Sequence, residues 1–470
     1  MLLASGVESL LRAGVFGLVL SQYTFGGSIL PFTFTYAITY AVFAFGSPLS
    51  VAAAGRFSGL QFARINAVIL LIVYAVLIAL EWSGLSNMWL IGAIVPTLVF
   101  PTIVVYRDLQ HSRVRLSQQA ESLVNTFVGQ GLEGLAPEIL AGVVVILFGR
   151  PGVLVMAAIG ATLAFLIILR NPFTPRPKPE GTGATLGQML SDINTGLMLT
   201  MQRPRLVNLQ LATLGANFFL GVISGLVVPL SLLRGDGRPD VLLWIQGGAL
   251  ISLMIGLRVF QTWKNWLARP GIFFGGFVAT GLLSLCVVAL VAPVGVWAAA
   301  YGLLQITTLC AILPLFTLNR RAVPRSEITS IVGAADLISF SVSVIGIATA
   351  GIVIERMLTP ALAPGGLLTP WLTPYIGSGP AAPIAAYWLV GGVSLSIIGL
   401  FSWWDYLRRP EGSVPARPLT DTMLLTPDAR LSHPAVRIGV GVALALATSL
   451  LIALGLGARA GELYTVALAV

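Results

Sequence analysis

Carboxylates that fall inside apolar stretches are the residues of this sequence most able to do chemistry. Glu133 lies near the centre of one such stretch with Gln130 about one turn away, and Glu138 lies nearer its end. Burial raises the pKa of a carboxyl group, so such a group can take up and release protons near neutral pH. Glu133 and Glu138 are therefore candidate proton-coupling residues. The alternative for Glu133 is a neutral, hydrogen-bonded acid that joins two helices.

Other charges in apolar stretches stand close to opposite charges. Glu8 and Arg12 are four residues apart, a spacing at which they can pair on one helix face. Glu8 is either a further proton-coupling candidate or, with Arg12, a neutralised contact that positions its helix. Asp336 lies about two turns from one end of its stretch, near Arg320 or Arg321. We expect an ion pair at a gate there.

Amide side chains mark the wall of a cavity in the same apolar environment. The candidates are Asn217, Gln246 and Gln305, and each has the alternative role of a hydrogen bond between helices.

Several kinds of chemistry have no residues to support them in this sequence. No G-x-x-x-x-G-K-[ST] phosphate loop occurs. The two histidines, His111 and His433, form no cluster with cysteine. We therefore predict no metal site, no cofactor and no enzymatic activity.

The elements that position these residues are apolar runs of membrane-spanning length. Only 10% of the 470 residues are charged, and a spanning helix needs about 20 apolar residues to cross roughly 30 Å of hydrocarbon. The sequence predicts an all-α polytopic membrane protein with thirteen runs, at 2–20, 28–53, 66–80, 88–106, 122–148, 152–169, 206–232, 241–259, 271–291, 296–318, 329–354, 384–404 and 438–457.

The distribution of basic residues predicts the orientation. If the N-terminus is cytoplasmic, the cytoplasmic connections hold 21 of the 27 Lys and Arg residues, counting Arg258 at the cytoplasmic end of the run 241–259. This positive-inside pattern accounts for the net charge of +9 without a nucleic-acid partner. An odd number of spans then places the C-terminus outside. The few basic residues of the outer side are Arg150, Arg234, Arg238, Arg356 and Arg459.

The runs divide into two halves that resemble each other. A six-helix bundle over 1–170 and another over 206–406 flank a cytoplasmic linker, 171–205, which contains a short amphipathic helix. A second linker, 407–437, leads to an extra segment, 438–470. An Ala-Gly pair stands at Ala141-Gly142 in the fifth run and at Ala350-Gly351 in the eleventh, which indicates a six-helix repeat.

Three stretches carry a resemblance to a known family. They are GSPLSVAAAGRFSGLQFAR (46–64), DINTGLMLTMQRPRL (192–206) and LPLFTLNRRAVP (313–324). The chain resembles the major facilitator superfamily over about residues 1–410, and it looks closest to the drug and siderophore exporters of the enterobactin-exporter type. The resemblance implies two six-helix bundles that move around a central cavity. It also implies that Asn217 and Gln305 line that cavity.

The chain departs from the family in the loop after the second run. The family signature has an Asp-Arg pair where this sequence has Gly55 and Arg56. The resemblance implies that Arg56 acts at a gate between the bundles. The missing Asp favours a member whose gate is weakened, or one that no longer transports.

Two features exceed the twelve-helix plan. The connection 355–383 is rich in Pro and Gly yet apolar, so we expect it to cover the membrane surface, the cavity mouth or a partner. The run 438–457 has small residues at every fourth position, which predicts close packing with another helix, either of the chain itself or of a membrane-protein partner.

Two functions are consistent with the sequence. The first is a secondary active transporter of a bacterial inner membrane that exports an amphipathic small molecule in exchange for protons. The second is a transporter-fold scaffold or assembly subunit of a larger membrane complex.

Overall fold

The computed structural model of the chain is built of helices. It describes residues 13–14, 17–18, 20, 28–38, 40–41, 59–84, 119–170, 186–202, 204–235, 239–262, 269–285, 289–322 and 328–408. The predicted runs 88–106 and 438–457, together with residues 409–437 of the second linker, lie outside these residues. Within the described ranges every regular element is helical, as expected where hydrocarbon offers no partner to a backbone N–H or C=O group.

In the part of the first half that the structure describes, the longer helices are α1, Ile29–Ile38, α2, Gly59–Trp82, and α3, Gln119–Arg170. α3 covers the two predicted runs 122–148 and 152–169, and its helical geometry is broken at Gly149, where φ is +64°. Glycine adopts this positive φ at Gly149 without strain. A Cβ atom at Gly152 would overlap that of Phe148, so the chain also turns tightly there. The nearby Arg150 forms an ion pair of 3.2 Å with Glu81 near the end of α2.

The helices of the second half follow a short helix, α4, Leu186–Met201, which packs against α9 and α5. They are α5, Pro204–Arg234, α6, Pro239–Thr262, α7, Pro270–Ala279, α8, Val294–Ala322, α9, Ile328–Val353, α10, Thr369–Ile376, and α11, Ala382–Arg408.

Local sequence explains where several of these helices begin and how they continue. Proline opens α5, α6 and α7, at the position where its missing N–H costs no helical hydrogen bond. α7 continues as a π-helix over Thr280–Leu285, and α9 continues as one over Ile354–Leu358.

Glycines allow the helices of the second half to pack at close range. A Cβ atom at Gly276 of α7 would lie 2.6 Å from the backbone nitrogen of Ala311 in α8. A Cβ atom at Gly248 of α6 would lie 3.2 Å from the carbonyl oxygen of Ala298, also in α8. α8 therefore packs tightly between α6 and α7. Without a hydrophobic driving force in lipid, such close contacts supply much of the association energy.

One cation fixes the end of α5. The guanidinium of Arg234 donates hydrogen bonds to the carbonyl oxygens of Leu290, at 2.8 Å, and Ala289, and it lies 4.9 Å from the ring centroid of Trp297. These bonds attach α5 to the connection between α7 and α8.

The outward surface of the spanning helices is apolar. Within the described residues, three helical stretches have the length and composition to cross a bilayer: Leu209–Arg234, Leu337–Ala361 and Ala382–Arg408. Exposed side chains on α6 and α11 are large and apolar, as a lipid-facing surface requires; they include Ile251, Met254, Ile255, Ile397 and Phe401. The predicted all-α, polytopic class is confirmed, while the total of thirteen spans stays a prediction.

Candidate functional site: the interfaces between the bundles

The two bundles meet where α1 of the first half packs on α5 and α9 of the second. Ser28, just before α1, donates a hydrogen bond of 2.9 Å from its Oγ to Oε2 of Glu355, which follows α9. One turn further along, a Cβ atom at Gly351 would overlap the hydroxyl of Thr33. A Cβ atom at Gly225 of α5 would lie 3.4 Å from the ring of Tyr36. We call these contacts the α1 interface.

The centre of the α1 interface is buried. Phe32, Thr33 and Tyr36 are buried, and the rings of Phe32 and Tyr36 stack with their centroids 5.2 Å apart. The hydroxyl of Thr33 lies within hydrogen-bond distance of the carbonyl oxygens of Ile29 and Leu30 in its own helix. The helices therefore approach without leaving that hydroxyl unsatisfied. Further along the chain from α1 the contact continues through Tyr40 and the partly exposed Phe340, whose ring centroids are 6.4 Å apart.

A second contact between the bundles joins α3 to α6. A Cβ atom at Gly142 would lie 3.5 Å from a methyl group of Leu243 and 3.8 Å from one of Leu242. The neighbouring Ala141 is buried. We call this contact the α3–α6 interface. It has more space than the α1 interface, because the atoms opposite Gly142 are the ends of flexible side chains.

The two interfaces correspond under a six-helix repeat. Gly142 lies in the fifth predicted run and contacts the eighth, whereas Gly351 lies in the eleventh and contacts the second. A shift of six converts one pair into the other. The sequence identified the Ala-Gly pairs only as signs of duplication. The structure shows that both glycines lie where one bundle contacts the other.

The predicted cavity residues lie in the second half. Gln246 of α6 is fully buried, at 0% exposure, whereas Asn217 of α5 and Gln305 of α8 are half-buried. The backbone carbonyl oxygen of Asn217 accepts a hydrogen bond of 3.0 Å from Oγ of Ser343, which joins α5 to α9. The roles of the three amides in a cavity stay predictions.

The predicted ionisable candidates divide into two groups. The structure places Glu133 and Glu138 on α3, Arg320 on α8 and Asp336 on α9. The remaining candidates, Glu8, Arg12 and Arg56, lie outside the described residues. No group of three or more His, Cys, Asp or Glu side chains suited to a metal ion occurs among the residues that the structure covers.

Three residues of the α1 interface, Ser28, Thr33 and Glu355, were not among the sites predicted from the sequence. Each is unremarkable there, because a hydroxyl in a helix usually bonds to its own backbone and a carboxylate after a helix usually faces water. The duplicated Ala-Gly pairs were the one signal that pointed to this region.

No protein-family model matches the sequence, and no curated protein is similar to it by sequence. Solved structures match over most of the chain. A mutant of the nucleoside transporter NupG is 14% identical, with a TM-score of 0.60 over 86% of this chain and 99% of its own. A bacterial homologue of the human lysosomal transporter Spinster, inward-facing and unoccupied, is 13% identical, with a TM-score of 0.60 over 86% and 96%.

An auto-inhibited peptide transporter of the POT family is 13% identical, with a TM-score of 0.59 over 89% of this chain and 98% of its own. Identities this low establish a common fold and nothing finer. The chain has the same fold as these solved transporters.

Proposed function

We propose that this protein is a secondary active transporter that exports an amphipathic small molecule in exchange for protons. Alternating access requires two bundles that close at one end of a central site while the other end opens. The observation that carries the proposal is the pair of equivalent interfaces, α1 and α3–α6, each made by one glycine of a duplicated Ala-Gly pair. Equivalent contacts on the two sides of a pseudo-symmetric molecule are suited to separate together.

The orientation of this closure follows from the distribution of basic residues. The positive-inside pattern predicts that Ser28 and Glu355 lie on the outer side of a bacterial inner membrane, with the N-terminus in the cytoplasm. Contact at that end corresponds to a protein closed to the outside and accessible from the cytoplasm. A cytoplasmic substrate enters an exporter in this state. The inward-facing state of the Spinster homologue is consistent with this interpretation.

A disulfide across the α1 interface tests alternating access. A Cβ atom at position 351 would lie 3.0 Å from Cβ of Thr33, slightly closer than the separation of about 3.5–4.5 Å in disulfides. Thr33→Cys with Gly351→Cys, in a chain whose Cys286 and Cys310 are replaced by Ala, should cross-link after a small adjustment.

Transport would be followed as the uptake of amphipathic dyes, ethidium among them, into everted vesicles. We expect oxidation to stop uptake and a reducing agent to restore it, with each single-cysteine variant unaffected by oxidation. Full transport by the cross-linked protein would rule out alternating access through this interface.

Proton coupling is tested at Glu133. Glu133→Gln keeps the shape of the side chain but cannot carry a proton on and off, so it should abolish dye uptake driven by a pH gradient while the protein remains folded. Asp240→Asn, at an exposed acid in the first turn of α6, is the matched control and should transport normally. Undiminished gradient-driven uptake by Glu133→Gln would remove Glu133 from the mechanism.

The second candidate function is a scaffold or assembly subunit of a membrane complex. Gly55 in place of the family's Asp and the additional run 438–457 favour it. Purification in a mild detergent distinguishes the two. A stoichiometric partner supports the scaffold, and a monodisperse monomer supports the transporter.

A further inference from the structure

The connection between α9 and α11 is an ordered cap without charge. No charged residue occurs between Arg356 and Asp405. The part of this stretch outside the long helices contains α10 and its flanking turns, over residues 359–381. Segments that face water normally carry Asp, Glu, Lys or Arg at their exposed positions. This segment has only apolar and small polar residues to expose.

Its exposed side carries an apolar stripe with a four-residue spacing. Leu367 lies in the turn before α10, and Trp371 and Tyr375 lie one turn apart on α10 itself. Their side chains are 51%, 74% and 64% exposed, respectively. The opposite side of the segment is also apolar, because Leu368 and Leu372 pack against the protein core. The outer stripe is therefore not needed to hold the segment in place.

Hydrogen bonds hold the stripe on the end of the bundle. The N–H of Leu368 donates to the carbonyl oxygen of Ala361 at 2.9 Å, and Oγ1 of Thr369 donates to that of Ala363 at 2.7 Å. The N–H of Val291 donates to the carbonyl oxygen of Tyr375 at 3.0 Å. The large exposed side chains thus project from a fixed backbone, so ordering them on a surface costs little backbone entropy.

The stripe continues the lipid-facing surface of the spanning helices. Val291, whose N–H bonds to the carbonyl oxygen of Tyr375, is itself highly exposed. Leu282 is also exposed and lies on the π-helix Thr280–Leu285, which precedes Val291 in the chain. Trp and Tyr are the residues that favour the boundary between headgroups and hydrocarbon, where an apolar ring body and a polar tip are both satisfied.

We propose that the stripe of Leu367, Trp371 and Tyr375 docks α10 into the headgroup boundary of the leaflet at this end of the bundle. The occupant of the stripe is lipid. Since the segment is uncharged, apolar burial drives the docking, and anionic lipid is not required. The proposal depends on the membrane-embedded fold and is independent of what the protein transports.

Spin labels test the proposal in the full chain. Cysteines would replace Leu367, Trp371 or Tyr375 one at a time, with Cys286 and Cys310 changed to Ala, and each variant would carry a nitroxide in phosphatidylcholine vesicles. Collisions with oxygen report lipid, and collisions with a water-soluble nickel chelate report water. Exposed Ala363, in the same connection but off the stripe, is the aqueous control, and exposed Ile397 on α11 is the lipid control.

We expect the ratio of oxygen to nickel collisions at positions 371 and 375 to exceed that at 363 several-fold and to approach that at 397. Position 367 provides the same measurement without removing an aromatic residue, in case a variant at 371 fails to fold. Nickel access at all three positions equal to that at 363 would place the stripe in water and overturn the proposal. Exclusion of both reagents would show that protein covers the stripe, which would also overturn it.

Discussion

Gly351 and Thr33 approach so closely that a Cβ atom on the glycine would overlap the threonine hydroxyl, although the two residues belong to different bundles. The contact joins α9 to α1 with no side chain between them on the α9 side. Gly351 has the φ of an ordinary helix, so glycine is required here for space and not for an unusual backbone conformation. A transporter whose bundles must separate benefits from such a contact, since a smooth glycine surface leaves no interlocking side chains to pull apart.

The first prediction is that Gly351→Ala opens the α1 interface. The added methyl group must displace Thr33 or α1 itself, and overpacking of this kind typically costs about 1–3 kcal/mol. Nitroxide labels at exposed Trp82, at the end of α2, and exposed Trp244, near the start of α6, report the separation of the bundles. We expect the distance distribution between them to shift to longer values in Gly351→Ala.

Gly247→Ala is the control for that experiment. A Cβ atom at Gly247 would meet nothing within 4 Å, so the substitution should leave the distances unchanged. An unchanged distribution in Gly351→Ala, with an unchanged melting temperature, would mean that α1 and α9 do not maintain this contact.

The second prediction concerns the hydrogen bond from Ser28 to Glu355. A bond to a charged acceptor contributes about 1.5–3 kcal/mol, so Ser28→Ala or Glu355→Ala should lengthen the distances between the same labels. Glu355→Gln keeps an acceptor oxygen and should behave more like the wild type. In a double-mutant cycle, Ser28→Ala should have no further effect once Glu355 is Ala. Fully additive effects would show that the two residues do not interact.

Composition predicts much of this fold, for a simple physical reason. Hydrocarbon requires every backbone N–H and C=O group to be bonded within the protein, and a helix meets this requirement within a single segment, so a continuous apolar run of about 20 residues predicts a helix. The run predicted at 206–232 is the helix Pro204–Arg234, and the run predicted at 384–404 is Ala382–Arg408. The apolar character of a residue predicts that it avoids water. It does not show whether the residue faces lipid or packs against another helix.

Contacts between helices are harder to predict for the same reason. Gly142, Gly276 and Gly351 resemble every other glycine in an apolar run, and only the three-dimensional arrangement shows which of them faces a backbone. Ser28 and Glu355 are 327 residues apart, so neither position informs about the other. The duplicated Ala-Gly pairs were visible in the sequence, yet their role required the positions of α1 and α6.

The third prediction compares two adjacent glycines on α7. Gly276→Ala would place a methyl group 2.6 Å from the backbone nitrogen of Ala311, an atom that cannot move without moving α8. We expect a loss of about 1–3 kcal/mol and a clearly lower melting temperature. Gly275 has nothing within 4 Å of its Cβ position, and Gly275→Ala should be neutral or slightly stabilising, since alanine is favoured over glycine in a helix by about 0.5–1 kcal/mol. Equal melting temperatures for the two variants would contradict the close packing of α7 on α8.

The fourth prediction concerns the topology and the run 438–457. Thirteen spans that start in the cytoplasm must end outside, so a phosphatase that folds only outside should be active when fused after Val470 and inactive when fused at the N-terminus. Truncation after Pro418 removes the last span, so the same phosphatase fused there should be inactive, whereas a fluorescent protein that folds only in the cytoplasm should be bright.

This third fusion separates two errors that a C-terminal fusion alone would confuse. Phosphatase activity after both Pro418 and Val470 would show that 438–457 does not cross the membrane, and so would activity after neither. Activity at the N-terminus and after Pro418, with none after Val470, would instead mean that the whole chain is inverted relative to its basic residues, which would also place Ser28 and Glu355 on the cytoplasmic side. The same result with an inactive N-terminal fusion would mean that an odd number of spans precedes Pro418.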